Sequence, residues 1–354
     1  MTKEEAAVPS PHGRAPSGTE FGARLQRALH RHFLADARIE ALQRLTGGAT
    51  KQTWSFVTGG GGTAAAGRYI LQLSAPVPAA RGPGPRAPRL SAAADAALMR
   101  LARRHGVPAP EVCCVLDEGD GLGPGYVTRH VDGITLGRAV ARDPAYAAAR
   151  RRMAAQSGEI LAGIHALPTR DAGFLDHLSP TDELQVYTRL LRAHDLRHPA
   201  LEYALRWVAQ RLPPDREDRV VHADFRTGNL IVGPDGIRCV LDWEIARRGD
   251  PLQDLGVLCM RTWRFGGDGE VGGFGSREDF YTAYERASGR SLDVERIRFW
   301  EAYANLKWAI NCVRRGMAQG ADGRPASLEL AAIGRRLGEP LWDFLDIAAA
   351  QAST

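Results

Sequence analysis

The run Val220-Val221-His222-Ala223-Asp224-Phe225-Arg226-Thr227-Gly228-Asn229-Leu230-Ile231-Val232, followed by Val240-Leu241-Asp242-Trp243-Glu244, constrains this chain more than any other stretch. Two short apolar segments, Asn229 to Val232 and Arg238 to Leu241, flank a Gly-Pro-Asp-Gly turn at Gly233 to Gly236, and this predicts a β-hairpin. Asp224 and Asn229 stand at the entry to the first strand and Asp242 at the exit of the second. A hairpin folds its two ends together, so three oxygen-bearing side chains meet. Convergent Asp and Asn oxygens suit Mg²⁺ shared with phosphate oxygens. The expectation is a phosphoryl-transfer site.

Such a site needs metal ions spanning the phosphates, cations to spread charge and a group that orients the attacking hydroxyl. Asp224 suits the last role as a carboxylate that accepts the proton of an alcohol. Asn229 and Asp242 are the candidate Mg²⁺ ligands. Arg226 lies close enough in sequence to neutralise the transferring phosphoryl group. His222 reads as a residue that holds the loop by bonding buried backbone. Taken singly, Asp224, Asn229 and Asp242 could be ordinary turn residues; hairpin and His-x-Asp lead-in together favour the site. A metal-dependent hydrolase built on His222, Asp224, Asp242 and Glu244 is a competing use of the same residues. Asp250 and Pro251 read as the N-cap and first residue of a following helix, and Asp254 as a tie for the loop.

The remainder predicts an α+β chain of two parts. A helix at Phe21 to Leu34 precedes strands at Arg38 to Thr46, Thr53 to Thr58 and Arg68 to Ser74. The glycine run Gly59 to Gly62 is a turn, and Pro76 to Pro88 has the composition of a mobile loop. A Ser-capped helix at Ser91 to His105 and strands at Val112 to Leu116 and Gly125 to Val131 complete a small antiparallel sheet with one main helix. Helices at Ala145 to Leu167, Glu183 to His194, Leu201 to Arg211, Ser276 to Ala287, Val294 to Arg315 and Ala326 to the end make the rest mostly helical. The reading is bilobal: a tail over 1–20 without order, an N-lobe over 21–128 and a helical C-lobe over 129–354, with a cleft between lobes. Thr46-Gly47-Gly48-Ala49-Thr50-Lys51-Gln52-Thr53 joins two strands, and its glycines let backbone N–H groups approach phosphate. An ordinary hairpin turn would look the same. The Asp-Asn-Asp set gives the loop its weight.

A length of 354 residues allows two cores. The net charge of +5 is carried by arginine, since Lys3, Lys51 and Lys307 are the lysines, and no block of like charges suggests nucleic acid. Five cysteines without CxxC spacing predict reduced, mostly buried thiols and a cytoplasmic protein. No signal peptide or membrane-spanning run is expected.

Val221-His222-Ala223-Asp224-Phe225-Arg226-Thr227-Gly228-Asn229, Leu241-Asp242-Trp243-Glu244 and Gly249-Asp250-Pro251-x-x-Asp254-Leu255-Gly256 resemble the aminoglycoside phosphotransferase and choline kinase-like family. More narrowly, they are similar to its bacterial branch related to the kinase-like domain found beside acyl-CoA dehydrogenases. The resemblance runs from about Leu45 to Leu345 and includes Thr53-Trp54-Ser55-Phe56, Trp263-Arg264-Phe265-Gly266, Val271-Gly272-Gly273-Phe274-Gly275 and Ile333-Gly334-Arg335-Arg336. It implies a protein-kinase-like fold that moves the γ-phosphate of ATP or GTP, with Mg²⁺, to a small-molecule hydroxyl. It implies Asp224 as catalytic residue, Asn229 and Asp242 as metal ligands, and Gly47, Gly48, Thr50 and Lys51 in the nucleotide loop. Thr128, Arg129 and Val131 fall where the family's hinge meets the adenine.

One place departs from the family pattern. The third strand usually ends in a Lys or Arg paired with a Glu on the next helix; here Gln72 and Asp95 take those places. Strand alternation sets Arg68, Ile70 and Gln72 on one face, with Arg68 too far along to substitute. Lys51, Arg81, Arg86 or Arg89 are the candidate replacements. Asp224, Asn229 and Asp242 are untouched by the departure. For the acceptor, Trp263, Arg264, Phe265, Trp300, Glu301, Tyr303 and Trp308 are candidates, although large helices bury such aromatics as core. Arg261 and Arg264 where a polycation binder would carry carboxylates favour a neutral or anionic alcohol, such as a natural product or hydroxyacyl thioester. The alternatives are a nucleotide-binding module without turnover and an aminoglycoside-type antibiotic kinase. Oligomeric state is left open.

Overall fold

The computed structural model describes residues 18–45, 51–59, 67–74, 89–320 and 323–351. Most of the expected 1–20 tail, the Gly47, Gly48 and Thr50 positions, the 60–62 glycines and the 76–88 loop lie outside the described residues. The chain divides into two compact units, residues 1–75 with 113–129 and residues 76–112 with 130–354.

The first unit is a helix on a five-stranded sheet. Helix α1 (Gly18–His32) buries Phe21, Leu25 and Leu29, one side of its i, i+4 pattern. The strands are β1 (Arg38–Leu45), β2 (Lys51–Gly59), β3 (Gly67–Ser74), β4 (Val112–Val115) and β5 (Gly125–Arg129), in the order β1-β2-β3-β5-β4. Tyr69, Leu71 and Leu73 of β3 are buried and alternate with Arg68, Ile70 and Gln72, as the period of two requires. Phe21 stacks on Trp54 at 4.5 Å, joining helix to sheet, and Phe56 stacks on Tyr69 at 5.3 Å across neighbouring strands. Register sets Gln72 opposite Thr53 on one side and Tyr126 on the other.

The second unit is helical: α2 (Ala92–Arg104), α3 (Gly137–Arg142), α4 (Ala147–His165), α5 (Pro180–Arg192), α6 (Pro199–Arg211), α7 (Leu252–Cys259), α8 (Arg277–Ser288), α9 (Val294–Gly316), α10 (Leu328–Gly334) and α11 (Gly338–Ala350). Its core gathers on α9, where Trp300, Tyr303, Leu306 and Ile310 meet Leu191, Trp207 and Phe344. Glu183 of α5 anchors Lys307 of α9 at 3.1 Å and also pairs with Arg247, so this deep charge is compensated. Inserted in the helices are β6 (Arg219–Val221) paired with β9 (Arg247–Gly249), and β7 (Leu230–Gly233) paired with β8 (Gly236–Val240). The second pair is the expected hairpin.

Several boundaries differ from the sequence reading. The N-lobe expected over 21–128 includes helix α2, whereas α2 clusters with the helical unit. There Leu90 N donates to Glu244 O at 2.7 Å, Val240 N to Pro108 O at 2.7 Å, and Arg89 pairs with Glu244 at 2.7 Å. The expected terminal helix from Ala326 is two, α10 and α11, broken around Gly334 to Gly338. β5 ends at Arg129, two residues short of the expected Val131. Helix α7 starts at Leu252 with Pro251 as cap residue, one position later than expected; Asp250 Oδ1 still accepts from Leu252 N at 3.0 Å.

Candidate active site

The loop between β6 and β7 is fastened from beneath. Asp254, in the first turn of α7 and fully buried, accepts from His222 N and Ala223 N, each at 2.7 Å. His165 Nε2 donates to Asp254 Oδ2 at 3.1 Å, and Tyr284 stands 2.9 Å from His165 Nδ1. Burial alone would push the Asp254 carboxyl up; the bond from His165 and the nearby His165 and His222 rings outweigh it and hold the carboxyl below its ordinary value. The expected tie is in place. His165 and Tyr284 behind it carry no motif and were not expected.

His222 is spent on the loop. Its Nδ1 accepts from Asp224 N at 3.2 Å, which leaves Nε2–H to donate to Leu241 O at 2.9 Å. Burial lowers its pKa, against the opposing pull of Asp254, Asp224 and Asp242, as suits a ring used as one donor and one acceptor. With both nitrogens occupied and Glu244 paired to Arg89, two of the four residues a metallohydrolase would need are otherwise engaged.

Asp224 is held at the loop's apex. Its Oδ2 accepts from Asn229 Nδ2 at 2.7 Å and its Oδ1 from Arg226 Nε at 3.0 Å. Asn229 Nδ2 also donates to Asp224 O at 2.9 Å. Both donations come from the amide nitrogen, so the Asn229 amide oxygen is turned from Asp224. Leu241 N donates to Asn229 O at 2.8 Å, bringing Asp242 beside Asn229 as hairpin closure predicts. Ala223 (φ 68°) and Asp242 (φ 62°) both lie in the left-handed region, a costly conformation for residues with a Cβ. Such strain is held here by the bonds on either side. An amide oxygen and a carboxylate, both hard donors, fit Mg²⁺.

On the far side, Thr227 Oγ1 donates to Gly272 O at 2.8 Å and fixes the 265–275 loop. Gly272 (φ 56°) and Gly273 (φ 81°) adopt conformations open to glycine, and a Cβ on Gly273 would meet Arg264 O at 2.1 Å. This seats Trp263, whose ring lies 4.6 Å beneath the Arg226 guanidinium and 5.0 Å from Trp308. Of the acceptor candidates, Trp300, Glu301 and Tyr303 are buried in the core; Trp300 Nε1 donates to Asp250 Oδ2 at 2.6 Å and Glu301 pairs with Arg277 at 2.9 Å. Arg264 donates to Cys259 O at 3.3 Å, and Phe265 fills the space a Cβ on Gly137 would need. Trp263 and Trp308 remain half-buried beside Arg226.

In the first unit, Gln72 Oε1 accepts from the Tyr126 hydroxyl at 2.5 Å, and Lys51 Nζ stands 3.4 Å from the same hydroxyl. Lys51 therefore reaches the neighbourhood of Gln72. Thr128 is buried, and Arg129 stands 5.6 Å over the Tyr69 ring. In the second unit, Val131 is half-buried and Asp95 is buried in the first turn of α2.

A sequence profile described as "Phosphotransferase enzyme family" matches residues 41–300. The chain belongs to that family. Acyl-CoA dehydrogenase family member 11 of Gallus gallus is 29% identical over 242 residues, 62% of this chain and 30% of that protein. The chain thus spans less than a third of that relative's length. A putative aminoglycoside phosphotransferase from Ralstonia eutropha has the same fold, with TM-score 0.69, 19% identity and coverage of 93% of this chain and 98% of that one. A thermostable mutant of an aminoglycoside phosphotransferase, in ternary complex with AMP-PNP and hygromycin B, superposes with TM-score 0.60 at 16% identity, covering 93% and 99%. The fold is kinase-like. Among the described residues, no helix is long and apolar enough to cross a membrane.

Proposed function

We propose that this phosphotransferase moves the γ-phosphate of ATP or GTP to the hydroxyl of a small neutral or anionic alcohol, such as a natural product or hydroxyacyl thioester. The observation that carries the proposal is the oriented Asp224: both oxygens are held, by Asn229 and Arg226, on a loop anchored to Asp254. A carboxylate fixed this way orients an alcohol and accepts its proton as the phosphoryl group leaves the nucleotide. Arg226 spreads charge on the transferring group. Asn229 and Asp242 would hold Mg²⁺, which when bound neutralises phosphate charge. The nucleotide contacts assigned to Gly47, Gly48, Thr50, Thr128, Arg129 and Val131 belong to the same proposal. Lys51 is assigned the cationic role that Gln72 cannot fill, supported by their shared contact with Tyr126. Asp95 takes the acidic place on α2.

The test is incubation with Mg²⁺, ATP or GTP and a panel of alcohols, read by mass spectrometry for one added phosphate. Asp224→Asn is expected to lower transfer about a thousandfold while leaving nucleotide affinity nearly unchanged. Wild-type turnover in that variant would remove Asp224 from its role. Preferential transfer to an aminoglycoside would replace the acceptor class.

A further inference from the structure

The groups beside Asp224 form one connected run. Arg226 bonds Asp224 at 3.0 Å and covers Trp263 at 4.6 Å; Trp263 meets Trp308 at 5.0 Å; Arg315 stands 5.7 Å over Trp308. Trp308 and Arg315 are seven residues apart on α9 and so share a face. Two guanidiniums thus cap two adjacent, half-buried indoles.

Arg315 differs from four other deep cations of the helical unit. Lys307 and Arg247 share Glu183, Arg277 has Glu301, and Arg296 has Asp250. Arg315 has no carboxylate within ion-pair distance among the described residues. Burial lowers its pKa, the charges of Arg89 and Arg226 press the same way, and Asp224 offsets part of this. A guanidinium kept half-buried among others of its kind is costly unless an anion comes to it.

We propose that Arg315, set on the Trp263–Trp308 platform, binds a carboxylate or phosphate carried by the acceptor, so that the preferred acceptor is an anionic alcohol. This rests on the kinase reading of Asp224. Arg226 stays with Asp224 and the transferring phosphoryl group, while the planar fork of Arg315 grips the acceptor's own anion. The indole faces pack against the carbon skeleton between that anion and the hydroxyl.

The test uses matched probes: glycerol 3-phosphate against glycerol, and lactate against lactamide, titrated into the full chain with saturating Mg–AMP-PNP and followed by tryptophan fluorescence. At least one anion is expected to bind saturably and tenfold or more tighter than its neutral twin; the tighter anion identifies the preferred group. Arg315→Gln should erase that preference and Arg315→Lys should restore part of it. Equal binding of both twins, an unchanged preference in Arg315→Gln, or no saturable response to either anion overturns the proposal. Transfer from Mg–ATP to the alcohol panel is read separately. Absence of transfer with anion preference intact would remove the kinase reading alone; transfer without anion preference would remove the Arg315 site alone.

Discussion

Asp254 decides the geometry of the candidate site without lying at its surface. It gathers two backbone N–H groups, one of them from the strained Ala223, and a buried imidazole, and each bond replaces water that cannot enter. Asp254→Asn keeps the volume but offers one acceptor oxygen where two were used, and turns an amide donor towards a donor. The expected cost is about 3 kcal/mol, read as a lower urea midpoint, with a matching loss of transfer as the Ala223 conformation relaxes. Unchanged stability in that variant would mean that the left-handed turn at Ala223 is held by other bonds. Asp224, Asn229, Asp242 and Asp254 were legible in the sequence because motif and hairpin closure bring them together over a short span. His165, Tyr284 and Arg315 were not: their partners lie far along the chain, and a His, Tyr or Arg in a helix carries no mark of what it will face.

Elements were legible where a period ran long enough. The alternation of β3 and the helical faces of α1, α2 and α9 follow their patterns, whereas β6 and β9 are three residues each and carry no period to read. Their pairing is held partly by His177, which bridges Arg248 and contacts Asp215 at 3.0 Å and Asp218 at 3.2 Å. Burial lowers the His177 pKa, but the bonds to the two carboxylates outweigh it and raise the value above 6.5. A raised folded pKa gives stability that is complete below the unfolded value and is lost as pH rises through the folded one. Wild type is therefore expected to lose a little stability, as pH rises from 6.5 through the raised folded value, that His177→Gln does not, seen as urea midpoints that converge at the alkaline end. Helices α9 and α10 cross at glycine: a Cβ on Gly334 would meet Gly316 Cα at 2.4 Å, while Gly338 has open space around it. Gly334→Ala should cost about 2 kcal/mol through forced separation, despite its better helix propensity, and Gly338→Ala should be neutral or slightly stabilising. Thermal midpoints of the two variants that moved together would refute the close crossing.

At the scale of the molecule, the division into sheet and helices was visible in the patterning, and its boundary was not. A helix lying between strands in sequence reads as their local cover, yet α2 buries Leu98, Met99 and Leu101 within a unit whose other members come from the distant half of the chain. The separate cores give a way to follow ligand binding through stability. A ligand that binds only the folded chain adds about 2.7 kcal/mol at a hundredfold excess over its Kd, enough to raise the midpoint by several degrees. Mg–ATP is expected to do so, and chelation of the metal or Asp242→Asn should remove most of the shift. Gln72 lacks a charge for the phosphates, so Lys51, beside the same Tyr126 hydroxyl, should supply it. Lys51→Gln should then weaken nucleotide binding about tenfold, and adding Gln72→Lys in that background should recover it, because the two positions serve one charge. If Lys51→Gln leaves the thermal shift intact, the cation comes from elsewhere in the chain. If Gln72→Lys fails to rescue a real loss, Lys51 acts through the shape of its loop rather than through its charge.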